Sequence, residues 1–176
     1  MELSTQLHIT TEKTLDLSEI KDNCPDCVKF RGTKPDIGFW TSTYLPNAEF
    51  ASRWVEWSFS DTEIDPSVFN SYRGFLLTIS KSARVYHIDS EEQAGMFFRV
   101  YGKLDNMHRW NVKWRYFMKH YDALHVTDDI IKNYQTYGHQ FSIWDVESTV
   151  FLRPVFDKIE LLNRPLVDHE LYFSEE

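Results

Sequence analysis

"FSIWDVESTVFLRP", residues Phe141 to Pro154, runs from an aromatic loop into an apolar strand and sets two carboxylates, Asp145 and Glu147, at the point of change. Strand alternation places residues 145 and 147 on one face and Val146 on the other, so both acids are expected to look into one cleft. Pro154 breaks the run, and "FDKIELL" (Phe156 to Leu162) follows as a second closing strand.

Working back towards the N-terminus, further strands are predicted over "TQLHITT" (Thr5 to Thr11), "IGFWTSTY" (Ile37 to Tyr44), "YRGFLLTIS", "ARVYHID" and "YDALHVT", with a turn at Lys81 and Ser82. Three helices are predicted between them. In "PNAEFASRWVEWSFS", Phe50, Trp54 and Trp57 recur at i, i+4, i+7 and form one stripe. "DSEEQAGMFFRVYG" has Ser90 and Gln93 at capping-box spacing and Gly102 as its stop. "VKWRYFMKHY" is the third, and "DDIIKNYQTYGHQF" reads as a polar, aromatic connection. Strands outnumber helices and bracket them, so the fold class is α+β with an antiparallel or mixed sheet, in one domain spanning residues 1–176. No Gly-rich turn follows a strand, which excludes a βαβ dinucleotide-binding fold.

Composition narrows the function. A formal net charge of −8 argues against a protein held to DNA or membrane by electrostatics, which requires clustered Lys and Arg. The opening "MELSTQLHITTEK" has no apolar core segment, and no run approaches membrane-spanning length, so a cytoplasmic location is expected. Six Trp, nine Tyr and thirteen Phe exceed what a core of this size usually requires. They suit either a Phe-rich core with Tyr and Trp at its rim, the preferred reading for most of them, or stacking walls for a flat ligand. Cys24 and Cys27 form a lone CxxC with Pro25 and Asp26 between them. No second pair of ligands stands at zinc-site spacing, so the motif is read as a turn carrying two thiols.

Several of these segments, taken in order, resemble the ADP-ribosyltransferase-like superfamily. "KPDIGFWTS", the Trp-bearing helix after it, "ARVYHIDS", "YDALHVT" and "WDVESTVF" are similar to small phage and bacterial members with a "KPxGLW(V/T)S" strand and a "WDxxS" end. The resemblance covers about His8 to Leu161. It implies a split antiparallel or mixed sheet core with flanking helices, NAD as substrate, and a mono-ADP-ribosyltransferase acting on a macromolecule, protein ahead of nucleic acid. NAD glycohydrolysis and a catalytically silent nucleotide- or partner-binding module are the alternatives. A toxin, effector or phage–host conflict role, and a partner restraining the activity, belong to the same expectation. No metal is required.

By the same resemblance His8 in "LHIT" would hold the ribose or a phosphate, and Gly38, Phe39, Trp40, Ser42, Thr10 and Trp54 would shelter the nicotinamide and ribose. Trp57 is assigned to helix packing. The tyrosines of "NYQTYGHQF" either pack that loop or face the acceptor. Two departures stand out: Phe39 and Trp40 occupy the place of the Tyr of the H-Y-E branch, and His8 stands where the R-S-E branch has Arg, with Ser42 and Thr43 only partly matching its Ser-Thr-Ser strand. Breaking the nicotinamide–ribose bond builds positive charge on the ribose, which a nearby carboxylate stabilises. Asp145 is favoured for this part as the more family-specific acid, with Glu147 second.

Overall fold

The computed structural model describes residues 3–15, 17, 20, 33–35, 38–61, 70–106, 108–132 and 137–168. The Cys24–Cys27 turn lies outside them. The chain is α+β. Its strands are β1 (Gln6–Thr10), β2 (Phe39–Thr43), β3 (Arg73–Ile79), β4 (Val85–Ile88), β5 (Gly102–Leu104), β6 (Trp110–Val112), β7 (Ala123–Val126), β8 (Ser148–Phe151) and β9 (Phe156–Leu161). The helices are α1 (Arg53–Asp61), α2 (Glu91–Tyr101), α3 (Trp114–Phe117) and α4 (Asp128–Ile131), and a 3₁₀ helix covers Gly138–Trp144. Seven strands form one mixed sheet in the order β4-β7-β8-β2-β1-β3-β9, and β5 and β6 make a separate ribbon. Among the described residues only β4 and β7 run parallel.

The turn at Lys81 and Ser82 is present, but it does not close a hairpin. β3 pairs with β1 and β9, while β4 crosses to the far edge beside β7. The turn residues signal a change of direction, and the destination is set by which long-range partner buries each apolar strand. β7 and β8 are buried at every residue, as expected for strands covered on both faces. β9, at the opposite edge, is almost wholly exposed.

β2 decides where a cleft can form. Its first part pairs with β8, from Phe39 opposite Phe151 to Thr41 opposite Thr149. Its end pairs with β1 instead, Ser42 opposite Leu7 and Thr43 opposite Gln6. β1 continues along β3 from Gln6 to Thr10. Beyond Leu7, therefore, β1 and β2 part. Gln6 is fully buried at the junction and compensated there: its side-chain oxygen accepts from Thr41 Oγ1 at 2.9 Å, and Nε2 donates to Ser4 O and Thr43 Oγ1.

Most of the aromatic surplus is core. Phe97, Phe98, Trp114, Phe117, Phe141 and Trp144 cluster beneath α2, all within 1% of complete burial. α2 forms as its caps predict: the Ser90 side chain accepts from Gln93 N, and Gln93 Oε1 accepts from Asp89 N at 2.8 Å. Gly102 is a stop of a different kind from that expected. Its backbone is extended and opens β5, and a Cβ there would lie 2.6 Å from the Trp110 ring. Glycine is thus required for close approach, and the β5–β6 ribbon was not anticipated.

Three other elements differ from expectation. α1 starts at Arg53, because the Ser52 hydroxyl accepts from Val55 N, and Phe50 pairs instead in a bridge to Val167. The buried face of α1 is therefore Val55 and Ser58, and Trp54 is partly exposed. The third helix keeps only its first turn as α3. The "DDIIKNYQTYGHQF" connection carries α4 and the start of the 3₁₀ helix, whose entry is tied by Glu91 accepting the N–H groups of Tyr137 and Gly138. No helix among the described residues is long and apolar enough to cross a membrane.

Candidate functional site

The parting of β1 and β2 leaves a cleft of about 180 Å³ lined by Leu7, His8, Ile9, Trp40, Thr41, Ser42, Ser52, Trp54 and Ser148. Four residues selected from the sequence meet there: His8, Trp40, Ser42 and Trp54. His8 Nδ1 lies 2.8 Å from the Trp40 carbonyl, so the side chain spans the gap that the backbone ladder leaves. Burial lowers its pKa, against the opposing pull of that carbonyl. Trp54 stands on α1 above the opening, 40% exposed, with Trp57 beside it at 6.3 Å between ring centroids.

The other sequence-selected residues lie elsewhere. Phe39 is buried behind His8, their rings 4.2 Å apart, and packs into the core with Phe151 and Phe156. Thr10 Oγ1 accepts from Glu12 N, a local backbone bond away from the cleft. Gly38 has φ +113°, and a Cβ would sit 2.5 Å from Val150 Cγ2, so its role is to let β2 start against β8. Of the loop tyrosines, Tyr134 lies outside the described residues. Tyr137 stacks on Phe98, which favours the packing reading.

Asp145 and Glu147 do not share a strand face, because β8 starts only at Ser148. Asp145 has φ +66° and ψ −57°, and Val146 N–H donates back to Trp144 O at 2.8 Å. This is a three-residue γ-turn of the rare, positive-φ type. It turns the Asp145 side chain out to solvent, 43% exposed, where it pairs with Lys34 Nζ at 3.3 Å. Lys34 in turn lies over the Trp40 ring, 5.5 Å from its centroid. The turn sends Glu147 the opposite way.

Glu147 is 7% exposed and accepts from β2 at both oxygens. Ser42 Oγ donates to Oε2 at 2.6 Å, Thr43 N–H to Oε2 at 3.0 Å, and Thr43 Oγ1 to Oε1 at 3.0 Å. Burial raises the Glu147 pKa; the Ser42 and Thr43 bonds act against that, and the nearby Asp128 charge adds to it. On the β7 side His125 Nδ1 lies 3.4 Å from Glu147 Oε1 and 2.8 Å from Thr149 Oγ1. Burial, reinforced by the neighbouring His87, depresses His125 to about 4. At neutral pH it is uncharged, and the proximity to Glu147 is a polar contact rather than an ion pair.

Sequence reasoning missed Thr43 as a donor, and Ser52, Ser148, His125 and Asp128 altogether. Thr43 was legible in principle, since it follows Ser42 at the end of the same strand. The others are brought in by sheet order and by α4, for which no local pattern stands. Among the described residues no group of three or more His, Cys, Asp or Glu could hold a metal ion. No family model, curated protein or solved structure matches the chain.

The arrangement offers an anchored, desolvated carboxylate whose shortest partner, the Ser42 hydroxyl, belongs to the cleft wall. It also offers an indole and an imidazole on the same opening. Such a site can receive a flat, polar ligand and stabilise positive charge developing close to Ser42.

Proposed function

We propose that this chain is an NAD-dependent mono-ADP-ribosyltransferase, with Glu147 rather than Asp145 as its acid. One observation carries the reading: a buried glutamate held by Ser42 and Thr43 at the point where β1 and β2 separate, with His8 and Trp40 on the cleft beside it. The ordered motif resemblance supplies the substrate.

NAD enters with its nicotinamide against Trp40 and a ribose hydroxyl taking the place of one Glu147 donor. As the glycosidic bond lengthens, the ribose acquires oxocarbenium character, and the Glu147 carboxylate, in a site of low dielectric, stabilises it more than water would. His8, held by the Trp40 carbonyl, presents its other ring edge to the nucleotide. The acceptor attacks from the open side, beside Trp54 and the Lys34–Asp145 pair that lies over Trp40. The net charge of −8 favours a protein acceptor over tightly held nucleic acid.

The test is incubation of purified protein with labelled NAD and a cell lysate, beside Glu147→Gln and Asp145→Asn. Label on a macromolecule with wild type and Asp145→Asn, and none with Glu147→Gln, is the expected result. Loss in Asp145→Asn alone returns the role to that residue. Nicotinamide release without label assigns the cleft to NAD hydrolysis. Neither release nor label refutes the enzyme reading. Growth inhibition on expression, relieved by Glu147→Gln, would place the activity in intracellular conflict.

A further inference from the structure

The backbone of Glu147 is held as firmly as its carboxylate. Its N–H donates to Asp128 Oδ1 at 2.6 Å. The second oxygen, Oδ2, lies 3.6 Å from Arg53 Nε and 3.5 Å from Lys132 Nζ. Arg53 also donates to Glu56 Oε2 at 2.6 Å, which fixes the guanidinium on the first turn of α1. Its sequence neighbours, Ser52 and Trp54, line the cleft. One carboxylate at the start of α4 therefore fastens two things: the entry of the acid into β8, and the helix that forms the cleft's outer wall. Two residues upstream of Glu147 stands the positive-φ turn at Asp145. Such a conformation persists only where its surroundings over-determine it, and the Asp128 bond is one of the constraints.

We infer that Asp128 is a positioning residue for Glu147, setting the acid's place through its peptide N–H. The inference rests on Glu147 being the acid of the proposed transfer. Among the described residues, the charged or titratable groups around Glu147 are His125 from β7, Asp128 from α4 and Arg53 from α1, with His87 of β4 behind His125. β2 contributes only the neutral donors of Ser42 and Thr43. Asp128 is the one negative charge in this set. It therefore does something a packing residue would not: it raises the pH at which Glu147 gives up its proton.

Two substitutions separate position from charge. Asp128→Asn keeps an oxygen to accept the Glu147 N–H and removes the charge. It is expected to leave kcat and KM for NAD within a few-fold, while the acid limb of the kcat–pH profile moves to lower pH. Asp128→Ala removes both, and kcat is expected to fall about 100-fold with KM for NAD little changed, the size of effect a misplaced catalytic group produces. A companion measurement needs no turnover: the Glu147 side-chain carboxyl is titrated by carbon NMR in wild type and Asp128→Asn. A lower titration midpoint in the variant supports the inference. Coincident titrations, or an unmoved acid limb, overturn it. A shifted titration in a protein that never consumes NAD would uphold the Asp128–Glu147 coupling and remove only the transferase reading.

Discussion

Acid should unmask His125. In the folded chain its pKa is pushed down to about 4, from 6.5 for an ordinary histidine, because it is buried beside His87. Between these values the unfolded chain binds a proton that the folded chain refuses. The stability contribution is present above pH 6.5 and is lost progressively as the pH falls towards 4. The shift of about 2.5 units corresponds to about 3 kcal/mol in full, of which about 2 kcal/mol is lost between pH 7 and pH 5. His8, also depressed by burial, adds in the same direction, whereas Glu147, with a raised pKa, gains stability as the pH falls through its folded value. The clean measurement is therefore a difference. Urea unfolding, followed by the fluorescence of the buried Trp114 and Trp144, is run across pH for wild type and His125→Asn, whose amide can still reach Thr149. The stability advantage of wild type should shrink by about 2 kcal/mol from pH 7 to pH 5. An advantage that instead grows over that interval would mean His125 is protonated in the fold and paired with Glu147 at 3.4 Å. That outcome would refute the neutral-histidine reading and, with it, the description of Glu147 as a carboxylate anchored by hydroxyl and amide donors alone.

Four further outcomes are expected. Ser42→Ala removes the shortest bond to Glu147, a bond that favours the ionised form, so the acid limb of the activity profile should move up in pH; no movement would disconnect Ser42 from the acid. Asp122, held at about 2 by Arg84 and Arg153 against the cost of its burial, stabilises the fold above pH 3.8 and loses that contribution as the pH falls below it. Asp122→Ala should lower the midpoint of chemical denaturation, since it removes the carboxylate shared by Arg84, its peptide N–H and Arg153. Phe97→Ala, in the middle of the aromatic cluster and fully buried, should cost about 3–5 kcal/mol in the same assay. Gly38→Ala should lower the melting temperature more than an ordinary exposed substitution, because the new Cβ meets Val150 at a φ that favours glycine; an unchanged melting curve would contradict the placement of β2 against β8.

The strands of the large sheet were legible because their chemistry is local. "LHIT", "GFWTST", "RGFLLTI" and "STVF" carry the residue types of strands, and Ser90 with Gln93 announces α2 unambiguously. The sheet order was not legible. Nothing near Lys81 says that β3 ends between β1 and β9 while β4 begins beside β7, since those pairings are chosen by apolar surfaces far apart in sequence. The site divides in the same way. His8, Trp40 and Ser42 stood out only through the ordered motif resemblance; His8 by itself reads as an ordinary strand histidine. The choice between Asp145 and Glu147 turned on a backbone dihedral at one residue, and strand alternation gave the wrong geometry because β8 starts at Ser148, three residues beyond Asp145. Asp128 and His125 reach Glu147 only after α4 and β7 are placed, so no spacing rule finds them.

The shared strand β2 has a consequence for how such a protein can change over time. Within three residues β2 passes from one ladder to another: Thr41 pairs with β8, Ser42 and Thr43 pair with β1, and the last two also grip Glu147. A slip of one residue along either neighbour would turn the Ser42 hydroxyl to the opposite face and leave the acid without its shortest bond. Substitution at these three positions is thus a change to the frame. Outside the strands the position is different: Trp54 projects into the cleft from α1, and Asp145 projects from a turn to pair with Lys34 over Trp40. Selection can rewrite that rim while the inner half keeps its shape. The molecule therefore separates a part that must be inherited intact from a part free to diversify, and the border between them runs across the opening of a single cleft.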